Sequence, residues 1–229
     1  MDGPGVRFVL FMNGCQMRCQ YCHNPDTWKL KSGQEKSAAE AVADIGKYAR
    51  FLKYVGGLTI SGGEPLMQAD FVGTVMRRVK QAYGLHIALD TNGAFAGTVP
   101  DEWFDPVDLV LLDIKQINPA RHRELTATEL QPVLDAAQRL ARLGKPLWIR
   151  YVLVPGWTDR FDDVEHLADF VATLSTVERV EVLPFHNMAA YKWEAMAGGR
   201  YQLADTPAPN PEMEHRVRQQ FLRRGLQVV

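Results

Sequence analysis

Three cysteines, Cys15, Cys19 and Cys22, stand at x3 and x2 spacing, and the 229-residue chain holds no others. An odd, tightly clustered set is a poor disulfide framework and a good set of metal ligands. Soft thiolates suit an iron–sulfur cluster, and three of them leave one iron of a cubane free to bind another group. A zinc site with a distant fourth ligand, or three structural thiols, are the alternative readings. Against zinc, His23 directly follows Cys22, which makes ligation by both awkward, and there is no second cysteine pair. Other residues could serve such a centre. Gly62-Gly63-Glu64 can bring backbone close to a ligand or simply turn the chain. Asp90-Thr91-Asn92-Gly93 can present oxygens or form an Asx turn. Asp113 and Lys115 share one strand face by the period of two, as ligands or as an ion pair. Arg150 reads as a ligand contact or a partner for Asp113, and His186 as a ligand contact or a satisfied histidine at a strand end.

These groups need a scaffold. Apolar, β-branched runs alternate with amphipathic stretches, as in a parallel α/β fold. Strands are expected near Val6 to Met12, Leu58 to Ser61, His86 to Thr91, Leu109 to Ile114, Leu147 to Val154 and Val177 to Phe185. Ser37 with Glu40 reads as a capping box opening one helix toward Tyr54. Further helices fit Asp70 to Tyr83, Glu129 to Leu143, Asp162 to Leu174 and Asn210 to Arg224, and the proline-rich stretch from Thr206 to Pro211 reads as a surface connection. Six strand–helix units imply a partial (β/α)6 barrel of the TIM type, open along one side, in a single domain over residues 1–229. In such folds chemistry sits at the C-terminal ends of the strands, where the singled-out residues fall.

Composition removes other classes. Lys and Arg number 26 against 27 Asp and Glu, a formal net charge of −1, so no global field points to nucleic acid or an anionic membrane. No apolar run approaches the roughly 18 residues of a membrane span, and residues 1–5 lack the features of a signal peptide. A cytoplasmic protein is expected.

Cys15-x3-Cys19-Gln-Tyr21-Cys22 resembles the signature of the radical S-adenosylmethionine (SAM) superfamily. Asp90-Thr-Asn-Gly, Asp113-Ile-Lys-Gln, the run from Trp148 to Trp157, Leu183-Pro-Phe-His186 and Tyr21-Cys-His-Asn24 with Asp26-Thr-Trp28 together resemble the pyruvate formate-lyase activating enzymes, over nearly the whole chain. The resemblance implies one [4Fe–4S] cluster on Cys15, Cys19 and Cys22, with SAM chelating the open iron. An electron from the cluster would then cleave SAM to methionine and a 5′-deoxyadenosyl radical. It implies a SAM site of Tyr21, Cys22, His23, Gly62, Gly63, Glu64, Asp113, Ile114, Lys115, Arg150 and His186, with a monovalent cation (sodium or potassium) on Asp90, Thr91 and Asp113. The target would be a backbone glycine of pyruvate formate-lyase or a similar glycyl radical enzyme, the electron donor a reduced flavodoxin or ferredoxin, and the activator a monomer. The lack of cysteines after Cys22 favours this type over activators with extra clusters. The alternatives are an activator of anaerobic ribonucleotide reductase, a deazaguanine synthase, or, in another class, an electron carrier that would not need the Gly-Gly-Glu and Asp-x-Lys groups. The chain starts inside Asp2-Gly-Pro-Gly5, a segment the family places near peptide entry, so the sequence reads as shortened at Met1, with Asp2 a contact for the target.

Overall fold

The computed structural model describes residues 2–196 and 201–229; Met1 therefore lies outside the described residues. The strands are β1 (Val6–Met12), β2 (Gly56–Gly62), β3 (His86–Thr91), β4 (Leu109–Asp113), β5 (Leu147–Leu153) and β6 (Val177–Pro184). They form one parallel sheet in the order β1-β2-β3-β4-β5-β6. Since β1 and β6 do not pair, this is a partial (β/α)6 barrel open on one side. The outer edge of β6 is covered by the C-terminal tail, where Val180 and Val182 donate to the carbonyls of Gln227 and Val229 at 2.8 and 3.0 Å. A cleft of about 720 Å³ runs along the other edge, β1, beside Phe8, Phe11, Leu30 and Phe71.

The helices are α1 (Ala38–Gly46), α2 (Ala49–Val55), α3 (Ala69–Tyr83), α4 (Pro119–Thr126), α5 (Gln131–Arg142), α6 (Phe161–Ala172), α7 (Ala190–Glu194) and α8 (Pro211–Leu222). The capping box of Ser37 and Glu40 forms as expected, but the single helix toward Tyr54 is two. The break follows Gly46, where a Cβ would lie 2.3 Å from the Tyr83 hydroxyl, so the absence of a side chain lets the Tyr83 ring of α3 sit against α1. The second strand extends back through Gly56 and Gly57, whose Cβ atoms would strike the carbonyls of Val6 and His86. Glycine reads as a turn by propensity, yet here it lets neighbouring strands approach.

Side chains alternate between two environments along each strand. Leu58, Ile60, Ile87, Leu89, Val110, Leu112, Ile149 and Val180 join the main core against Val75, Val79, Val133, Leu140, Val164 and Leu167 of the helices. The alternate residues face the barrel interior, where Ala88, Leu109, Leu111 and Trp148 form a separate small cluster. Above it lies a polar layer of Ser61, Asp90, Arg150 and Glu181. Burying the outer face pays for this polar interior: at about 25 cal/mol per Å2, each fully buried Leu, Ile or Val contributes roughly 1.5–3 kcal/mol.

Candidate active site

The cysteines occupy the loop leaving β1, which is fixed at several points. Gly14, at φ 96°, begins the turn and donates its N–H to Thr27 O at 2.6 Å, while Cys15 N donates to Trp28 O at 3.2 Å. Arg18 N donates to Thr126 O at 2.7 Å and Gln20 N to Leu125 O at 3.0 Å, docking the loop on the C-terminal carbonyls of α4. On the far side, Trp193 of α7 donates through Nε1 to Cys22 O at 2.8 Å. Neither α4 nor α7 is among the helices expected from sequence. Asn118 followed by Pro119 is an N-cap with proline at N1, and that signal could have found α4.

Gly62 and Gly63 bring the second motif against this loop. Gly62 sits at φ 111°, and a Cβ on Gly63 would lie 2.2 Å from Gly14 O. Gly63 N donates to Met12 O at 2.7 Å and Glu64 N to Gly14 O at 2.6 Å. The close approach these glycines allow is thus to the cysteine-bearing loop itself. Glu64 is fully buried. Its Oε1 accepts from Leu66 N at 3.0 Å and Thr91 Oγ1 at 2.7 Å, and its Oε2 accepts from Asn92 N at 2.9 Å. Grouped from sequence with the cofactor-binding residues, the carboxylate uses both oxygens to brace the neighbouring loops. Burial, offset in part by those donors, pushes its pKa up to about 7.

Asp113 and Lys115 pair at 2.6 Å, and the Lys115 ammonium lies 5.7 Å from the centre of the Tyr21 ring. Burial opposes the lysine's charge, but Asp113, followed by Tyr21 and Cys19, raises the pKa well above the usual range. Ile114 between them is fully buried in the main core, so only its backbone faces the site. Arg150 pairs with Asp90 at 3.0 Å and with Glu181 at 3.6 Å, in place of the expected pairing with Asp113. Burial raises the Asp90 pKa despite Arg150. Asp90 also accepts from Ser61 Oγ at 2.7 Å. The adjacent Thr91 side chain points to the other sheet face, toward Glu64, so its hydroxyl does not join Asp90 and Asp113 around a cation. His23 and His186 stack with ring centres 4.3 Å apart, and burial followed by the His186 charge lowers the His23 pKa.

The donor set fits an iron–sulfur cluster with a ligand on its open iron. Burial raises the thiol pKa of Cys15 to about 11, of Cys19 to about 12, and that of Cys22 as well. Such thiols need a metal to hold them as thiolates. Among the described residues no three His, Cys, Asp or Glu side chains gather around one metal-ion position; a cubane does not require that, because each thiolate binds a different iron. Buried polar atoms without a protein partner include the Tyr21 hydroxyl and His186 Nδ1. Both belong to residues the family resemblance places at SAM, and a polar co-substrate would satisfy them.

The model of the radical SAM superfamily matches residues 9–171. The pyruvate formate-lyase-activating enzyme of Listeria monocytogenes is 44% identical over 220 residues, covering 93% of this chain and 88% of its own length. The pyruvate formate-lyase 1-activating enzyme of Escherichia coli K12 is 41% identical over 221 residues, covering 95% and 89%. A solved domain of pyruvate-formate lyase-activating enzyme from Bacteroides vulgatus superposes with a TM-score of 0.62 at 24% identity, over 76% of this chain and 98% of that one, which shows a shared fold. With its cysteine loop seated across the mouth of an open parallel barrel, the chain belongs to the pyruvate formate-lyase activating enzymes of the radical SAM superfamily.

Proposed function

We propose that this chain activates pyruvate formate-lyase by taking a hydrogen atom from a backbone glycine of that enzyme. The observation that carries the reading is the convergence of the Cys15–Cys22 loop, the Gly62-Gly63 turn and the unpartnered Tyr21 and His186 atoms at one end of the barrel. The enzyme uses one [4Fe–4S] cluster and SAM. Bound by these residues, a reduced cluster would supply the electron for cleavage of SAM, and hydrogen abstraction from the glycine would follow.

The protein's own residues bind, orient and exclude water. Cys15, Cys19 and Cys22 hold three irons. Tyr21, His23 and His186 would wall the co-substrate, and Lys115, paired with Asp113, would offer it a positive charge. Arg150, anchored by Asp90 and Glu181, offers a fixed positive charge from the barrel interior. Asp90 and Asp113 are the side chains available to a sodium or potassium ion, with Thr91 contributing through its carbonyl. The open edge beside β1 admits the glycine-bearing segment, and Asp2 meets it. Keeping the radical away from water requires the partner to close that opening.

The chain works as a monomer of one domain in the cytoplasm and takes its electron from reduced flavodoxin or ferredoxin. No helix among the described residues is long and apolar enough to cross a membrane. The test is electron paramagnetic resonance of the anaerobically reduced protein mixed with SAM and pyruvate formate-lyase. A glycyl radical doublet that disappears with Cys19→Ala is expected. A cluster signal indifferent to SAM would instead point to an electron carrier.

A further inference from the structure

Asn92 is 5% exposed, and its side-chain amide is locked in one orientation. Its Oδ1 accepts from Gln16 Nε2 at 2.9 Å and from Ala94 N at 3.1 Å. With the oxygen so occupied, Nδ2 is turned to Cys15 Sγ, 3.9 Å away. The backbone is fixed as well, because Asn92 N donates to Glu64 Oε2. A chain of hydrogen bonds therefore runs from the Gly-Gly-Glu turn, through Asn92, to one cluster sulfur. Gln16 adds a second hold, since it follows Cys15 in the same loop.

We infer that Asn92 is a positioning residue whose amide N–H donates to the Cys15 thiolate and sets the reduction potential of the cluster. The inference rests on the cluster being held by Cys15, Cys19 and Cys22. Reduction adds negative charge, so a donor to a ligand sulfur stabilises the reduced state more than the oxidised one and raises the potential. This eases reduction of a cluster that must pass an electron to SAM. The Asn92 carbonyl oxygen orients the amide, and the N–H does the tuning.

The experiment is a redox titration of the reconstituted holoenzyme, followed by the paramagnetic signal of the reduced cluster. Hydrogen bonds to charged acceptors suggest that losing this donor changes the reduced-to-oxidised ratio at fixed potential by about tenfold. For a one-electron couple that is a shift of about 59 mV. Asn92→Leu is expected to move the midpoint to lower potential by this amount. Asn92→Asp, which retains the acceptor for Ala94 and Gln16 but places an anion near the thiolate, is expected to move it further. An unchanged midpoint in a fully loaded Asn92→Leu protein overturns the inference. Should that variant fail to load, pulsed electron–nuclear double resonance on the native enzyme in deuterated water decides. An exchangeable deuteron coupled to the reduced cluster, and lost in Asn92→Asp, supports the assignment, and the absence of any such coupling in the native enzyme overturns it. Failure of the cluster reading itself would show separately, as no cluster signal in the native protein.

Discussion

Replacing Glu64 by Gln should alter the pH dependence of folding. The carboxyl is fully buried, and burial moves its pKa from 4.5 to about 7 against three donated hydrogen bonds. An acid whose folded-state pKa is raised contributes stability that is complete below its unfolded value and lost as pH rises through the folded one. At about 1.4 kcal/mol per pH unit, the native chain gives up ~3 kcal/mol between the unfolded value and slightly alkaline pH. Glu64→Gln removes this titration. Its amide can keep one oxygen for Leu66 N and Thr91 Oγ1, but its nitrogen then faces Asn92 N, a donor against a donor, at a cost of about 1–3 kcal/mol. The variant should therefore be less stable than the native chain at pH 5. The difference should then move by ~2.5 kcal/mol in the variant's favour by pH 8. Urea unfolding of both cluster-free proteins, reduced and anaerobic, at steps from pH 5 to 8 measures this. His23, His86 and His122, whose pKa values burial lowers, titrate in both proteins and cancel in the comparison. A stability difference that stays constant across the range would mean that the three donors outweigh burial and keep Glu64 ionised throughout.

Ala127 closes α4 at φ 59°, the left-handed region, so Ala127→Gly should stabilise the fold by about 0.5 kcal/mol, the relief of strain exceeding the added unfolded-state entropy. Calorimetry should show a melting temperature higher by ~1–2 °C, and a lower one would contradict the reading. Gly63→Ala places a Cβ 2.2 Å from Gly14 O and should cost about 2 kcal/mol or more while pushing the two loops apart; a variant that loads its cluster and responds to SAM as the native protein does would count against that packing. Lys115→Met leaves Asp113 without its partner at 2.6 Å and should cost about 3 kcal/mol, much of it recovered in the double variant with Asp113→Asn. Urea unfolding of the four proteins measures the coupling, and additive effects would refute it. Because Cys15 and Cys19 are protonated thiols below about 11 and 12, cluster loading releases protons, and apparent affinity should rise steadily from about pH 7 to 9; competition with a chelator at each pH would reveal a flat profile if this is wrong.

Much of this was legible in the residues. All six strands lie where apolar, β-branched runs place them, because a parallel strand buried against helices on one face and largely within the barrel on the other reads as a nearly continuous apolar run. The thiolate spacing within one short loop likewise made the superfamily recognisable, since its ligands are neighbours in the chain. Local pattern also located the capping box at Ser37, a contact spanning three residues.

What remained for the tertiary structure were choices between partners distant in sequence. The sequence offered Asp113 as the partner of Arg150, and the register does set the two side by side on β4 and β5; yet the folded guanidinium reaches past β4 to Asp90 and across to Glu181. The sequence placed Glu64 at the cofactor through its motif, and only the folded loops reveal that both its oxygens also accept from Leu66, Thr91 and Asn92. The close approach of Tyr83 to Gly46 joins two helices far apart in sequence, which no helix propensity reports. The contact of Asn92 with Cys15 joins residues 77 positions apart. Periodicity and spacing determine which elements form and which faces they bury, because those forces act along a few residues of chain. The orientation of a buried amide or guanidinium is decided only when separate loops close around it and each donor must find its acceptor away from water.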